Sequence, residues 1–244
     1  MDDFMKGAFD TLVKRGVITS DKLEPSTVTD DMIHQLEQEM NITIPMELQS
    51  YLKAYSHSLN ILGTPLPLEY LDDPDIMILI NEKTPEELAA LDKDDGPFIE
   101  VIWSEVLAIP KENPLQPLRE KIKNSRKVAS FVKDDEVTEA SLQRFIPIAD
   151  WFCAGPLCID TARTKEALDY EDMDTWQLRW FDHEEMDWKF MKYIKEDGTV
   201  IGQPLFPDFE TFIKLYFYGV CDQLFERQLI MEKEELPDKT TWSK

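Results

Sequence analysis

The strongest helical stripes stand at the two ends of this chain, and its middle is rich in strand candidates. That order excludes a regular alternation of strand and helix, and with it a doubly wound parallel sheet. At the front, Phe4, Ala8, Leu12 and Val13 share one helical face, and Gly16 stops the helix. Residues 17–28 read as a connector. Thr29 caps a second helix, with Asp30 and Asp31 in its first turn, where carboxylates suit the dipole. Ile33, Leu36 and Met40 form its apolar stripe, and Asn41 is a left-handed stop. Pro45 opens a third helix that buries Leu48, Tyr51, Leu52 and Tyr55. At the far end, Phe209, Phe212, Ile213, Tyr216, Phe217, Val220 and Leu224 keep helical spacing after Asp208. Residues 232–244 are polar and predict a frayed tail.

Between these ends the pattern changes. Ile76–Ile80 reads as a fully buried strand, and Thr84-Pro85-Glu86-Glu87 opens a short helix ending near Leu91. Phe98–Val101 and Val106–Ile109 read as strands flanking Trp103, Leu115–Ile122 as a short helix, and Val128–Val132 as a strand. Phe145–Ala149 and Pro156–Asp160 predict a strand pair around Gly155. Trp176–Phe181 alternates like a strand with one buried face, and Trp188–Ile194 precedes an Asp197-Gly198 turn. The expected fold is α+β: a mostly antiparallel twisted sheet flanked by N-terminal helices and a C-terminal helix.

Charge narrows the function. The 244 residues carry a formal charge of −23. Such a field repels nucleic-acid phosphates and anionic membrane surfaces, and favours a basic protein partner. The N-terminus shows no secretory signal and the apolar runs are too short to span a bilayer, so the expected location is cytoplasmic. Three cysteines, Cys153, Cys158 and Cys221, read as reduced thiols rather than a disulfide framework.

The sequence names no catalytic residue, no metal ligand set and no cofactor site. The eight glycines are scattered and form no phosphate cradle, and no nucleophile elbow or zinc helix motif occurs. The expectation is a chain that is not an enzyme. His34 reads as surface or half-buried. His57 falls near the end of the third helix, where an imidazolium would suit the dipole. His183 sits among acids in Asp182-His183-Glu184-Glu185, but in an extended segment those side chains diverge. Cys153 and Cys158 read as core thiols. Acidic runs flank the Trp176–Phe181 segment. Asp169, Glu171, Asp172, Asp174, Asp182, Glu184, Glu185 and Asp187 are the candidate partner-facing acids, with Trp176 and Trp180 as candidate anchors or core residues.

Three collinear pieces resemble the SUKH (Smi/Knr-type) superfamily. They are Asn41-Ile42-Thr43-Ile44-Pro45 between two helices, Phe145–Ala149 followed by Cys158-Ile159-Asp160, and Phe206-Pro207-Asp208-Phe209 through Phe212. The resemblance covers residues 28–220 of a single domain, 1–244, with 1–27 as a helical extension and 221–244 as a helical end and tail. Ile44 and Asn41 stand where the family carries Leu and Gly, and residues 63–140 are longer than in a minimal member. The resemblance implies an immunity protein that binds and neutralises a polymorphic toxin, often a nuclease or deaminase. A regulatory scaffold of the cell-wall-regulator type is the alternative it implies.

Overall fold

A computed structural model describes residues 2–65, 74, 77–78, 101–131, 139–151, 154–182 and 192–219. The fold is α+β, and its largest element is a six-stranded antiparallel sheet in sequential order. The strands are β3 (Ile61–Pro65), β4 (Val101–Val106), β5 (Phe145–Trp151), β6 (Pro156–Asp160), β7 (Leu178–Trp180) and β8 (Gln203–Phe206). A separate short ribbon pairs β1 (Glu24–Pro25) with β2 (Tyr55–Ser56).

The N-terminal helices follow the capping chemistry. Helix α1 spans Asp2–Lys14, and Gly16 follows it at φ 73°. Met5, Ala8, Phe9 and Leu12 are its buried residues, while Phe4 and Val13 are half-buried at the edges. The buried face is therefore turned slightly from the expected Phe4–Ala8–Leu12–Val13 stripe. Helix α2 (Asp30–Met40) starts at Thr29, whose side chain accepts from Met32 N, and stops at Asn41 with φ 51°. Helix α3 (Met46–Ala54) begins directly after Pro45. Tyr55 already belongs to β2 and is half-buried, not part of the helical face.

The middle of the chain departs most from expectation. Met77 and Ile78 are helical, not part of a strand. The expected helix at 84–91 lies outside the described residues, as does most of Phe98–Val101. Trp103 lies inside β4, and Val106 ends that strand rather than starting another. Helix α4 runs from Gln116 to Phe131 and absorbs most of the expected strand at 128–132. A short helix α5 (Glu139–Leu142) leads into β5.

The strand pair around Gly155 forms β5–β6, with Phe145 opposite Asp160 and Pro147 opposite Cys158. The register shifts between Pro147 and Ala149. A bulge is where a central strand tolerates proline, which has no N–H for the ladder. Strand β7 keeps only the middle of the expected Trp176–Phe181 segment, because Trp176 still closes a 3₁₀ turn (Met173–Thr175). Ile194 and Val200 form an isolated bridge around the turn that contains Gly198 at φ 79°.

Both sheet faces are covered. The main core gathers α1, α2, α3 and the C-terminal segment against Ile146, Ile148, Leu157, Ile159 and Leu178. A smaller cluster on the opposite side joins Phe145, Cys158, Phe181, Tyr193, Ile194 and Val200. Period-two alternation sends successive side chains to opposite faces, so β5 is buried from Phe145 to Ala149 without a break. Cys158 is a buried core thiol, and burial pushes its pKa far up.

The C-terminal element is shorter than its periodicity predicts. Asp208 caps helix α6 (Phe209–Ile213), its Oδ1 accepting from Thr211 N and Thr211 Oγ1, both at 2.7 Å. The backbone then widens into a π turn, Lys214–Tyr218, and Gly219 closes it at φ 62°. Arg15 Nη1 reaches across to the carbonyls of Tyr216 at 3.2 Å and Phe217 at 2.9 Å. It satisfies acceptors that a helix end leaves open. Val220, Leu224 and the expected tail lie outside the described residues.

His57 also departs from expectation. It lies beyond α3 in an extended bridge with Ile109 and is only 3% exposed, against the Phe9 ring. Burial lowers its pKa to about 4, partly opposed by the backbone of Leu59, so it is neutral near pH 7. No helix among the described residues is long and apolar enough to cross a membrane.

Candidate partner-binding face

Asp169, Glu171, Asp172 and Asp174 occupy one ordered loop ahead of β7, and all four are exposed. The loop is built by its own side chains. Asp169 Oδ1 accepts from Glu171 N, and Asp172 Oδ1 accepts from Asp174 N, each at 3.0 Å. Thr175 Oγ1 accepts from Asp169 N at 2.9 Å and shares its single hydrogen between the carbonyls of Asp169 and Asp172. Short polar side chains next to turns make such bonds readily.

Beneath the loop lies Arg179, which is 1% exposed. Its Nε donates to Trp176 O at 3.0 Å, and one Nη donates to Asp174 O at 2.6 Å and Met173 O at 3.4 Å. The planar fork thus holds three carbonyls of one short stretch at once. Burial first, then repulsion from Arg163, lowers the Arg179 pKa to about 10, which leaves the guanidinium charged at neutral pH.

Register explains how an arginine comes to be there. Arg179 is paired with Cys158, and Asp160 stands two residues further along β6 on the same face. Asp160 is 0% exposed. Its Oδ1 lies 3.0 Å from Arg144 Nε and accepts from Ala162 N at 3.1 Å. Its Oδ2 accepts from an Arg144 Nη at 3.0 Å and lies 3.4 Å from Arg163 Nε. A polar network therefore occupies one end of the smaller core.

The two candidate tryptophans face inward. Trp176 is 0% exposed, so it belongs to the core and offers no surface to a partner in this structure. Its Nε1 donates to Tyr170 O at 3.3 Å, which ties the acidic loop to the core. Trp180 is half-buried, with its ring edge-on to Trp151 at 5.0 Å. Asp182 is half-buried beyond β7. Glu184, Glu185, Asp187 and His183 lie outside the described residues, so the structure brings together four of the eight candidate acids in one loop.

Sequence reasoning missed Arg144, Arg163 and Arg179. A signal was present: Arg179 is the one charged residue in the Trp176–Phe181 segment, which follows a strand candidate that ends in aspartate. Among the described residues, no group of three or more His, Cys, Asp or Glu is placed to hold a metal ion. A second acidic surface is an open groove of about 380 Å³ between α4 and the β5–β6 turn, lined in part by Glu105, Glu120, Lys121 and Asp150. Comparison with protein-family models, curated proteins and solved structures finds no match.

Proposed function

We propose that this chain is a non-catalytic binding protein that neutralises a basic toxin domain, of nuclease or deaminase type, by stoichiometric occlusion. The observation that supports the reading most is the acidic loop at 169–174, whose four exposed carboxylates stand on a backbone pinned from below by Arg179. A pre-ordered loop loses little freedom on docking, so more of the electrostatic attraction survives as affinity. The charge of −23 and the resemblance to SUKH immunity proteins point the same way. Steering by such a charge raises association well above the ~10⁵–10⁶ M⁻¹s⁻¹ of a neutral pair at low salt.

The test has two parts. The tagged protein is used to capture its partner from native lysate, with washes at low and high salt. One basic polypeptide retained near one-to-one, whose nuclease or deaminase activity returns on release, supports the reading. A diverse set of partners, or none, overturns it. With the partner in hand, Asp169, Glu171, Asp172 and Asp174 are reversed to Lys together, and Glu112 and Glu120 are reversed as a control on another element. Slower association for the first set alone assigns the face. Unchanged binding for the first set and loss for the second moves the interface to the α4 side.

A further inference from the structure

The network around Asp160 holds more positive charge than its single carboxylate balances. Arg144 and Arg163 contact Asp160 directly, and Arg179 lies within Coulombic range of it. Among the described residues, three guanidiniums share one buried carboxylate, in a protein whose overall charge is −23. Asp174 also acts on Arg179 electrostatically, but its side chain is exposed to solvent.

The donors are unevenly used. Arg179 spends its fork on the loop carbonyls and is sealed from solvent. Asp160 accepts from an Arg144 Nη and the Ala162 N–H and lies beside Arg163 as an ion pair. Arg163 approaches Asp160 only through Nε at 3.4 Å, and that buried Nε is not aligned for a hydrogen bond. Among the described residues, nothing accepts from its two terminal nitrogens. Among the described residues, nothing accepts from the other Nη of Arg144, and its guanidinium is seated over the Phe145 ring at 4.8 Å. The side chains of Arg144 and Arg163 are 24% and 23% exposed, so both reach solvent from a buried base.

Their backbones are fixed as well. Arg144 O accepts from Thr161 N and Thr161 Oγ1, each at 2.9 Å. Arg163 O accepts from Gln177 Nε2 at 2.8 Å, and Arg163 N donates to Asp160 O at 3.1 Å. The two guanidiniums thus converge on one carboxylate oxygen while their free nitrogens stay accessible. Paired arginine forks with open donors match the oxygens of a phosphate.

We infer that Arg144 and Arg163, braced by Asp160, form a binding site for a dianionic phosphate group, either free phosphate or a phosphomonoester. Two negative charges on the ligand meet two guanidiniums that both reach solvent. Asp160 acts as a positioning residue, holding the guanidiniums in place without touching the ligand. The site is independent of the proposed partner-binding reading and carries the opposite charge to it.

The experiment is a calorimetric titration of the full chain with inorganic phosphate and with phenyl phosphate, at ionic strength held constant with sodium chloride. Saturable one-to-one binding of either probe is expected. Tighter binding of phenyl phosphate assigns a phosphomonoester, and tighter binding of inorganic phosphate assigns the free ion. Dimethyl phosphate, a monoanion, binds at least tenfold more weakly. Arg163→Gln weakens binding about tenfold or more, as expected for loss of a charge-assisted contact, and Arg163→Lys falls between it and the parent. No saturable binding by the parent protein overturns the site, as does equal binding of dimethyl phosphate. Unchanged affinity in a folded Arg163→Gln variant also overturns it. If Arg163→Gln does not fold, the parent titration and Arg163→Lys decide.

Discussion

Single residues in this protein carry electrostatic costs that can be read as pH dependence. The unfolded chain protonates His57 near pH 6.5, whereas the folded protein does so only near pH 4, because burial opposes the charge. Between those values the unfolded state holds more protons, so stability falls as pH drops. The contribution is fully present above pH 6.5 and lost as pH reaches about 4. It amounts to at most ~3 kcal/mol. Urea midpoints across that window are expected to fall less steeply for His57→Phe than for the parent, and equal slopes would show that His57 is not the proton acceptor. Arg179 makes the stronger mutational prediction. Arg179→Met fits the apolar stem but orphans the carbonyls of Asp174 and Trp176. A loss of about 3–5 kcal/mol is expected by denaturant titration, the range for breaking one side of a buried charged network. Arg179→Lys should recover only part, since an ammonium cannot span the same carbonyls.

At the level of elements, termini are set by local chemistry and lengths by what packs on them. Two glycines with left-handed backbones make this testable. Gly16 ends α1 at φ 73°, with no atom within 4 Å of where a Cβ would stand. Gly219 ends the π turn at φ 62°, and a Cβ there would collide with the Arg15 guanidinium. Gly16→Ala should cost only the backbone strain, about 1 kcal/mol. Gly219→Ala adds displacement of the guanidinium that holds Tyr216 O and Phe217 O, so its loss of melting temperature should clearly exceed that of Gly16→Ala. Equal losses would mean that Arg15 moves freely and contributes no capping.

Across the whole molecule, the two ends of the chain close on each other. Phe9 stacks on Tyr51 at 5.7 Å and meets Phe217 edge-on at 5.4 Å. Tyr51 in turn meets Phe209 and Phe217, both at 5.8 Å, and donates its hydroxyl to Leu107 O at 2.7 Å. Residues 2–14, which the sequence reads as part of a helical extension, therefore contribute side chains to the core. Phe9→Ala should destabilise by about 3–5 kcal/mol, the usual cost of removing a buried aromatic ring. A loss below 1 kcal/mol, measured by chemical unfolding, would restore the extension reading.

The sequence by itself determined the capped helix termini and the fold class. Thr29, Asn41, Gly16 and Asp208 act on backbone groups within four residues of themselves, so their effect is visible without any partner. The acidic loop was equally legible as composition, because exposed carboxylates need no neighbours. What only the tertiary structure decided is the environment of residues whose partners are distant in the chain. Trp176 and Trp180 read as anchors or as core until the fold buried the first and half-buried the second. Val128–Phe131 has strand-forming residues, yet it continues α4, since propensity is weaker than the packing of an established helix. His57 became neutral because Phe9 and Ile109 remove its water. Arg163 is a chain neighbour of Asp160, but Arg144 and Arg179 came to the same buried carboxylate because strand register set β5 and β7 against β6, and register is a property of the assembled sheet.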